Sequence, residues 1–163
     1  MRILKNIILF LISLILISCY NKGIISGSEL NQEEIEFIES LNLLEKNEEI
    51  IQFDSQLTIE KSGNFYTNKK VASYWISDNS EENKIDFAYY KDIKSIQIKR
   101  KDGSWTYSSY LEIEKKNGEI FKVYVDDEKE ENNRFFQQVL QRWQESTIAN
   151  SGSSQIPGLI GKV

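Results

Sequence analysis

One side chain in this sequence announces covalent chemistry: Cys19, the single cysteine of 163 residues, in a chain that has no histidine. The missing imidazole removes the commonest general base, the commonest metal ligand and the usual pH switch together. Serine and threonine therefore have no imidazole to activate them, and no glycine-rich phosphate loop appears. Carboxylates occur in adjacent pairs, Glu33-Glu34, Glu48-Glu49, Glu81-Glu82 and Glu130-Glu131. Neighbouring residues diverge on helices and strands alike, so such pairs make poor acid–base dyads and read as solvated surface. Residues 78–84 are polar enough to suggest a calcium loop, but Asn83 stands where the sixth-position glycine is needed and Tyr89 where the twelfth-position glutamate is needed. The expectation is a protein without enzymatic activity, cofactor or metal. A single thiol also excludes an intramolecular disulfide, so the core must hold the fold.

The surroundings of Cys19 say what its thiol is for. Arg2 and Lys5 form a short basic start, and residues 7–17 are apolar apart from Ser13. At about 1.5 Å per helical residue, this run spans roughly half of a bilayer's hydrocarbon core, which suits the apolar region of a signal peptide better than a spanning helix. It ends in Leu16-Ile17-Ser18-Cys19, which resembles the lipobox of bacterial lipoproteins. The resemblance implies removal of residues 1–18, diacylglycerol on the Cys19 thiol and a fatty acyl chain such as palmitate on the new amine. Several chains together anchor stably, since each buried methylene contributes roughly 0.8 kcal/mol. Tyr20, rather than Asp, follows the cysteine, which in Gram-negative families looks like sorting to the periplasmic face of the outer membrane. The implied location is the cell envelope, with the membrane as first partner and an unknown envelope protein as second.

The formal net charge is -5, and about -7 once Arg2 and Lys5 are removed. An acidic chain is poorly suited to nucleic acid, whose binding depends on neutralising phosphates. Hydrophobic residues make up 40% and aromatics 12%, enough for one domain with a real core.

Residues 19–30, with Gly23, Gly27 and serines, read as a tether. Asn31 followed by Glu34 has capping-box spacing, and Ile35, Ile38 and Leu41 recur at three-residue steps, so a helix follows. From Glu49 the period becomes two. Residues 50–53, 65–67, 71–76 and 85–90 read as strands, 57–59 as a further short one, and Ser62-Gly63 as a turn. Residues 78–84 read as a loop. Ile96 and Ile98 alternate with polar residues, and Asp102-Gly103 offers a two-residue turn that would place Ile98 opposite Tyr107 and Ile96 opposite Ser109. For the next hairpin, a three-residue loop of Lys116, Asn117 and Gly118 keeps Ile113 opposite Phe121 and Leu111 opposite Val123, with Gly118 in the left-handed position. Asp127 and Glu130 have capping-box spacing before a helix whose Phe135, Phe136, Val139, Leu140 and Trp143 form one stripe. Residues 146–163, rich in Ser, Gly and Asn, read as a flexible tail.

The fold class that follows is mainly β (α+β): antiparallel strands in an open barrel or sandwich, capped by a C-terminal amphipathic helix, with an extra N-terminal helix, over residues 31–145. Two local patterns sharpen this. Phe65-Tyr66-Thr67-Asn68-Lys69-Lys70-Val71 is similar to an aromatic-x-Thr-Asn-Lys-Arg-aliphatic hairpin, and residues 87–96 are similar to a strand ending in Tyr-x-Asp-Ile-x-x-Ile. Both resemble bacterial pleckstrin-homology-like domains. That resemblance implies an interaction domain and no single activity. Candidate binding residues are the basic Lys69 and Lys70 on one hairpin, and Arg100 beside Trp105 on another, where a cation–π contact is expected. Trp75 and Trp143 are expected in the core; with Trp105, Tyr89 and Tyr90 they are also the side chains from which a contact surface would be built. The alternative function is a carrier of a small hydrophobic ligand or lipid, held between the sheet and the C-terminal helix.

Overall fold

A computed structural model describes residues 23–100 and 109–152. Residues 1–18 read as a signal peptide, Cys19, the turn expected at Asp102-Gly103, Trp105 and residues 153–163 lie outside the described residues. Two antiparallel sheets carry the domain. The first contains, in spatial order, β1 (Ile25–Ser26), β2 (Ile50–Asp54), β3 (Ser62–Thr67), β4 (Lys70–Trp75) and β5 (Lys84–Tyr89). The second contains β6 (Ile93–Lys99), β7 (Ser109–Lys115) and β8 (Ile120–Val125). The sheets are not closed into a barrel. Helix α1 (Gln32–Ser40) lies between β1 and β2 in the chain, and α2 (Lys129–Gly152) follows β8.

The centre of the first sheet is buried on both faces, because two separate apolar layers cover it. Tyr66, Val71 and Ala88 point inward and pack with Leu111, Ile113, Val123 and Val125 of the second sheet and with Phe135, Phe136 and Val139 of α2. Phe53, Phe65, Ala72 and Tyr74 point the other way, onto Leu30, Ile38 and Leu43. Alternate residues of β3 thus serve two cores, and all six are buried. Helix α1 starts where the capping box puts it: Asn31 Oδ1 accepts from Glu34 N, and Glu34 Oε2 accepts from Asn31 N. The three-residue loop between β7 and β8 also forms as read, with Gly118 at φ 91°, Ile113 opposite Phe121 and Leu111 opposite Val123.

Several expectations are corrected. Residues 57–59 form no strand; the Ile59 carbonyl instead accepts the Tyr74 hydroxyl at 2.5 Å. Ser62-Gly63 is no turn but the start of β3. Glycine is needed there for close approach, since a Cβ on Gly63 would lie 2.3 Å from the Tyr74 ring. In the β6–β7 pair, Ile98 faces Leu111 and Ile96 faces Ile113, rather than Tyr107 and Ser109. The shift is an even number of residues, so the core face is unchanged, and face agreement alone could not choose between the two registers.

The tether reading fails from Gly23 onward. Ile25 and Ser26 pair with Phe53 and Gln52, and Leu30 is buried. Helix α2 continues past residue 145 to Gly152, into the segment read as a flexible tail. Asp127 forms no capping box with Glu130. Its Oδ2 accepts from Ile24 N at 2.8 Å, and its backbone N–H and C=O both bond Asn132, so it ties the chain's start to the helix. Among the described residues, no helix is long and apolar enough to cross a membrane.

Candidate functional site

Strand β8 crosses the first sheet near the ends of β3 and β4, and Asn64 makes the junction. Its Oδ1 accepts from the Tyr124 backbone N–H at 3.0 Å and from the Ser73 hydroxyl at 2.9 Å. Beyond this crossing, strands β3, β4 and β5 continue past β8 and leave a cleft of about 520 Å³. Strand alternation decides its lining. Ser62, Asn64, Ser73, Trp75, Lys84 and Asp86 share the inner parity of Tyr66, Val71 and Ala88 but line the cleft instead of the apolar core; Ser62 and Asn64 are buried there, whereas Trp75 and Lys84 are exposed. The opposite wall is Ile120, Phe121, Lys122 and Tyr124.

Trp75, expected in the core, is 44% exposed at the cleft, and Ile120 is 61% exposed. Neither Lys84 nor Lys122 has a carboxylate within ion-pair distance among the described residues, and the Lys122 ammonium instead lies 4.8 Å from the centre of the Tyr110 ring. The cleft thus offers an aromatic wall, an aliphatic edge, two cations, one carboxylate and several amide or hydroxyl groups. That is equipment for binding a ligand.

Both lysines of the basic hairpin proposed from sequence have carboxylate partners within the chain. Lys70 is buried, with its ammonium 3.1 Å from Glu48, whose side chain is fully buried and accepts the Thr67 hydroxyl at 2.6 Å. The rings of Phe87 and Tyr89 flank the same ammonium at 4.8 and 5.2 Å. Glu48, read as solvated surface, is therefore a core carboxylate. Lys69 pairs with Glu45 at 2.9 Å, and Glu45 also accepts the Tyr89 hydroxyl. The Tyr89 bond, then Lys69, holds the Glu45 carboxyl below its usual range, and the same bond pushes the Tyr89 hydroxyl up to about 12. Both lysines thus clamp the segment before β2 onto the β3–β4 hairpin; Lys70 is buried, whereas Lys69 stays partly exposed beside a hollow lined also by Tyr89, Lys91 and Arg142. Arg100 is exposed, beside a smaller hollow lined by Ser109, Asp127, Lys129, Asn132, Asn133 and Phe136. Its expected partner Trp105 lies outside the described residues.

Trp143 packs at the margin of the inner core, its indole N–H 3.4 Å from the Ile93 carbonyl. The contact between α2 and the sheets is filled by the buried side chains of Phe135, Phe136 and Val139, where the carrier reading would place its ligand. Among the described residues, no group of three or more acidic or thiol side chains could hold a metal ion.

Sequence reasoning missed the cleft. Its one local signal is Ile120, an aliphatic residue at the wrong parity next to Phe121, Val123 and Val125. Trp75 gave none, because its exposure depends on where β8 stops.

No family model matches the chain, and no curated protein does. Among solved structures, it is similar to a DUF1696 family protein with a pleckstrin-homology domain from Shewanella loihica PV-4, at 12% identity and a TM-score of 0.47, covering 70% of this chain and 93% of that one. The class of protein that the fold itself defines is a mainly antiparallel β domain of two splayed sheets with a C-terminal helix.

Proposed function

We propose that this chain is a bacterial lipoprotein: a non-catalytic, pleckstrin-homology-like interaction domain held at the cell-envelope membrane by lipid on Cys19. The observation that carries the interaction role is the cleft between the sheets, where Trp75 and Ile120 stay exposed beside Lys84 and Lys122. Aromatic side chains of this kind anchor interfaces. The anchor reading rests on the Leu16-Ile17-Ser18-Cys19 sequence after a short apolar run. The pleckstrin-homology-like reading rests on the order of strands and helix together with the two local sequence patterns. Tethering would raise the domain's effective concentration toward membrane partners.

The structure adds a geometric consequence. Gly23 already sits against Asp127, so few residues separate Cys19 from the folded domain. At about 3.5 Å per extended residue, the domain would ride close to the headgroups rather than on a long leash.

Two measurements test the reading. Mass spectrometry of the mature protein should find a lipid-modified Cys19 terminus, and Cys19→Ser should leave the membrane fraction. An intact, unmodified Met1 on a membrane-bound product refutes the anchor. A photo-crosslinking amino acid at position 75 should capture envelope protein in cells, whereas one at exposed Leu57 should not. Equal capture at both positions refutes the cleft as the binding surface.

A further inference from the structure

We propose that the outer edge of β8 takes up an extended polypeptide segment as an added strand of the second sheet, and that this segment carries one carboxylate for Lys84 and Lys122 and an apolar side chain for Trp75. The inference rests on the reading of the cleft as a binding surface and names its occupant.

The edge comes first. Strand β8 pairs with β7 on one side only, and its other edge faces the cleft. At Tyr124 the outward N–H is satisfied by the side-chain amide oxygen of Asn64, at 3.0 Å. An amide carbonyl is what a neighbouring strand would present, so Asn64 occupies one rung of a ladder whose next rung is open. Backbone groups alternate along a strand, and Lys122, two residues earlier, directs its N–H and C=O to the same side. Such an edge is a template for a further strand.

The side chains select what the strand must carry. In a chain of net charge -5, half of the described lysines have a carboxylate partner and half, Lys84 and Lys122 among them, have none within ion-pair distance. What sets Lys84 and Lys122 apart is that they line the same cleft from opposite walls. Asp86 lines the same cleft two residues from Lys84 on β5, opposite Ser73, so one acidic side chain fits and an acidic run would be repelled. Trp75 and Ile120 offer an apolar seat. Peptides that add to a sheet edge gain affinity from main-chain bonds and specificity from pockets for alternate side chains.

The test uses the full chain in detergent and a randomised displayed library of short linear peptides. The enriched peptides are expected to carry Asp or Glu two residues from an aromatic or aliphatic side chain. Binding should fall about tenfold or more with Lys122→Glu and with Trp75→Ala, as for a close interfacial charge pair or aromatic anchor. Lys122→Arg should keep it, and replacing the peptide acid with Lys should restore binding to Lys122→Glu. Bound peptide should slow hydrogen exchange at the Lys122 amide. Both side chains are at the surface, and thermal melts check that the variants fold. Failure to enrich any peptide, enrichment without an acid, or indifference to both substitutions overturns the proposal. So does self-association of the unliganded chain through this edge, abolished by Lys122→Glu. Should crosslinks at position 75 persist in cells while the library yields nothing, the cleft remains the binding surface and the extended acidic segment is wrong.

Discussion

The ammonium of Lys70 lies 3.1 Å from the Glu48 carboxylate, and both side chains are buried. The pair links the segment before β2 to the start of β4, and Thr67 completes it through its hydroxyl on Glu48. Removing one partner leaves a buried charge alone. Lys70→Met or Glu48→Leu is therefore expected to cost roughly 3–5 kcal/mol. The double variant Glu48→Leu with Lys70→Met should cost less than the two single changes together, since neither charge remains to be stranded. Urea titrations of the four proteins measure the coupling, and simple additivity would show that the two groups act independently.

Asp54 is the opposite case. Its carboxylate is buried at the end of β2 with neither oxygen hydrogen-bonded. Burial pushes it up to about 7; the nearby Asp126 backbone N–H opposes this, and the charges of Asp126 and Asp127 add to it more weakly. A carboxyl whose folded value is raised binds its proton more tightly in the folded state. Its contribution thus favours folding at low pH, declines as pH rises from about 4 toward 7, and levels off above that. Asp54→Asn should flatten this part of the stability–pH profile and raise stability at pH 8, by at most about 4 kcal/mol for a three-unit shift. Melts from pH 4 to 8 decide it; a parallel profile for the variant would assign the dependence to another group.

Gly23 stands at φ 63°, and a Cβ there would lie 2.3 Å from Asp127 Oδ2. Gly23→Ala combines backbone strain with this clash and is expected to break the Ile24–Asp127 bond at a cost of roughly 1 kcal/mol or more. Hydrogen exchange should accelerate at Ile24, Ile25 and Ser26 while β3 and β4 stay protected. Unchanged exchange at Ile24 would mean that the bond tolerates the methyl group.

Trp143 is only partly buried, at the edge of the inner core. Trp143→Ala should cost about 2 kcal/mol, below the roughly 3–5 kcal/mol of a fully buried tryptophan, and the domain should still fold. Phe135→Ala, which empties the centre of the same contact, should cost more. Reversal of that order in chemical denaturation would move the anchor of α2 to Trp143.

How much of this was legible in the sequence follows from the range of each interaction. The capping box at Asn31 and Glu34, the alternation of the strands, the three-residue loop ending in Gly118 and the stripe of α2 are all local. Each depends on residues within a turn or a hairpin of one another, and chain geometry fixes them before any packing. The missing histidine and the placing of Cys19 after a short apolar run were likewise plain from composition and order.

What the tertiary structure alone decided is which groups meet across long separations. Glu48 looked like one of several surface acids until β4 brought Lys70 under it. Lys69 and Lys70 looked alike until the fold buried Lys70 against Glu48 and left Lys69 partly exposed beside Glu45. The β6–β7 register could not be read because two registers differing by an even number of residues bury the same face. The cleft depends on where β8 crosses β3 and β4, which is set by the packing of two sheets and one helix. No local pattern encodes that crossing, so the exposure of Trp75 and the open edge beside Lys122 became visible only in the folded chain.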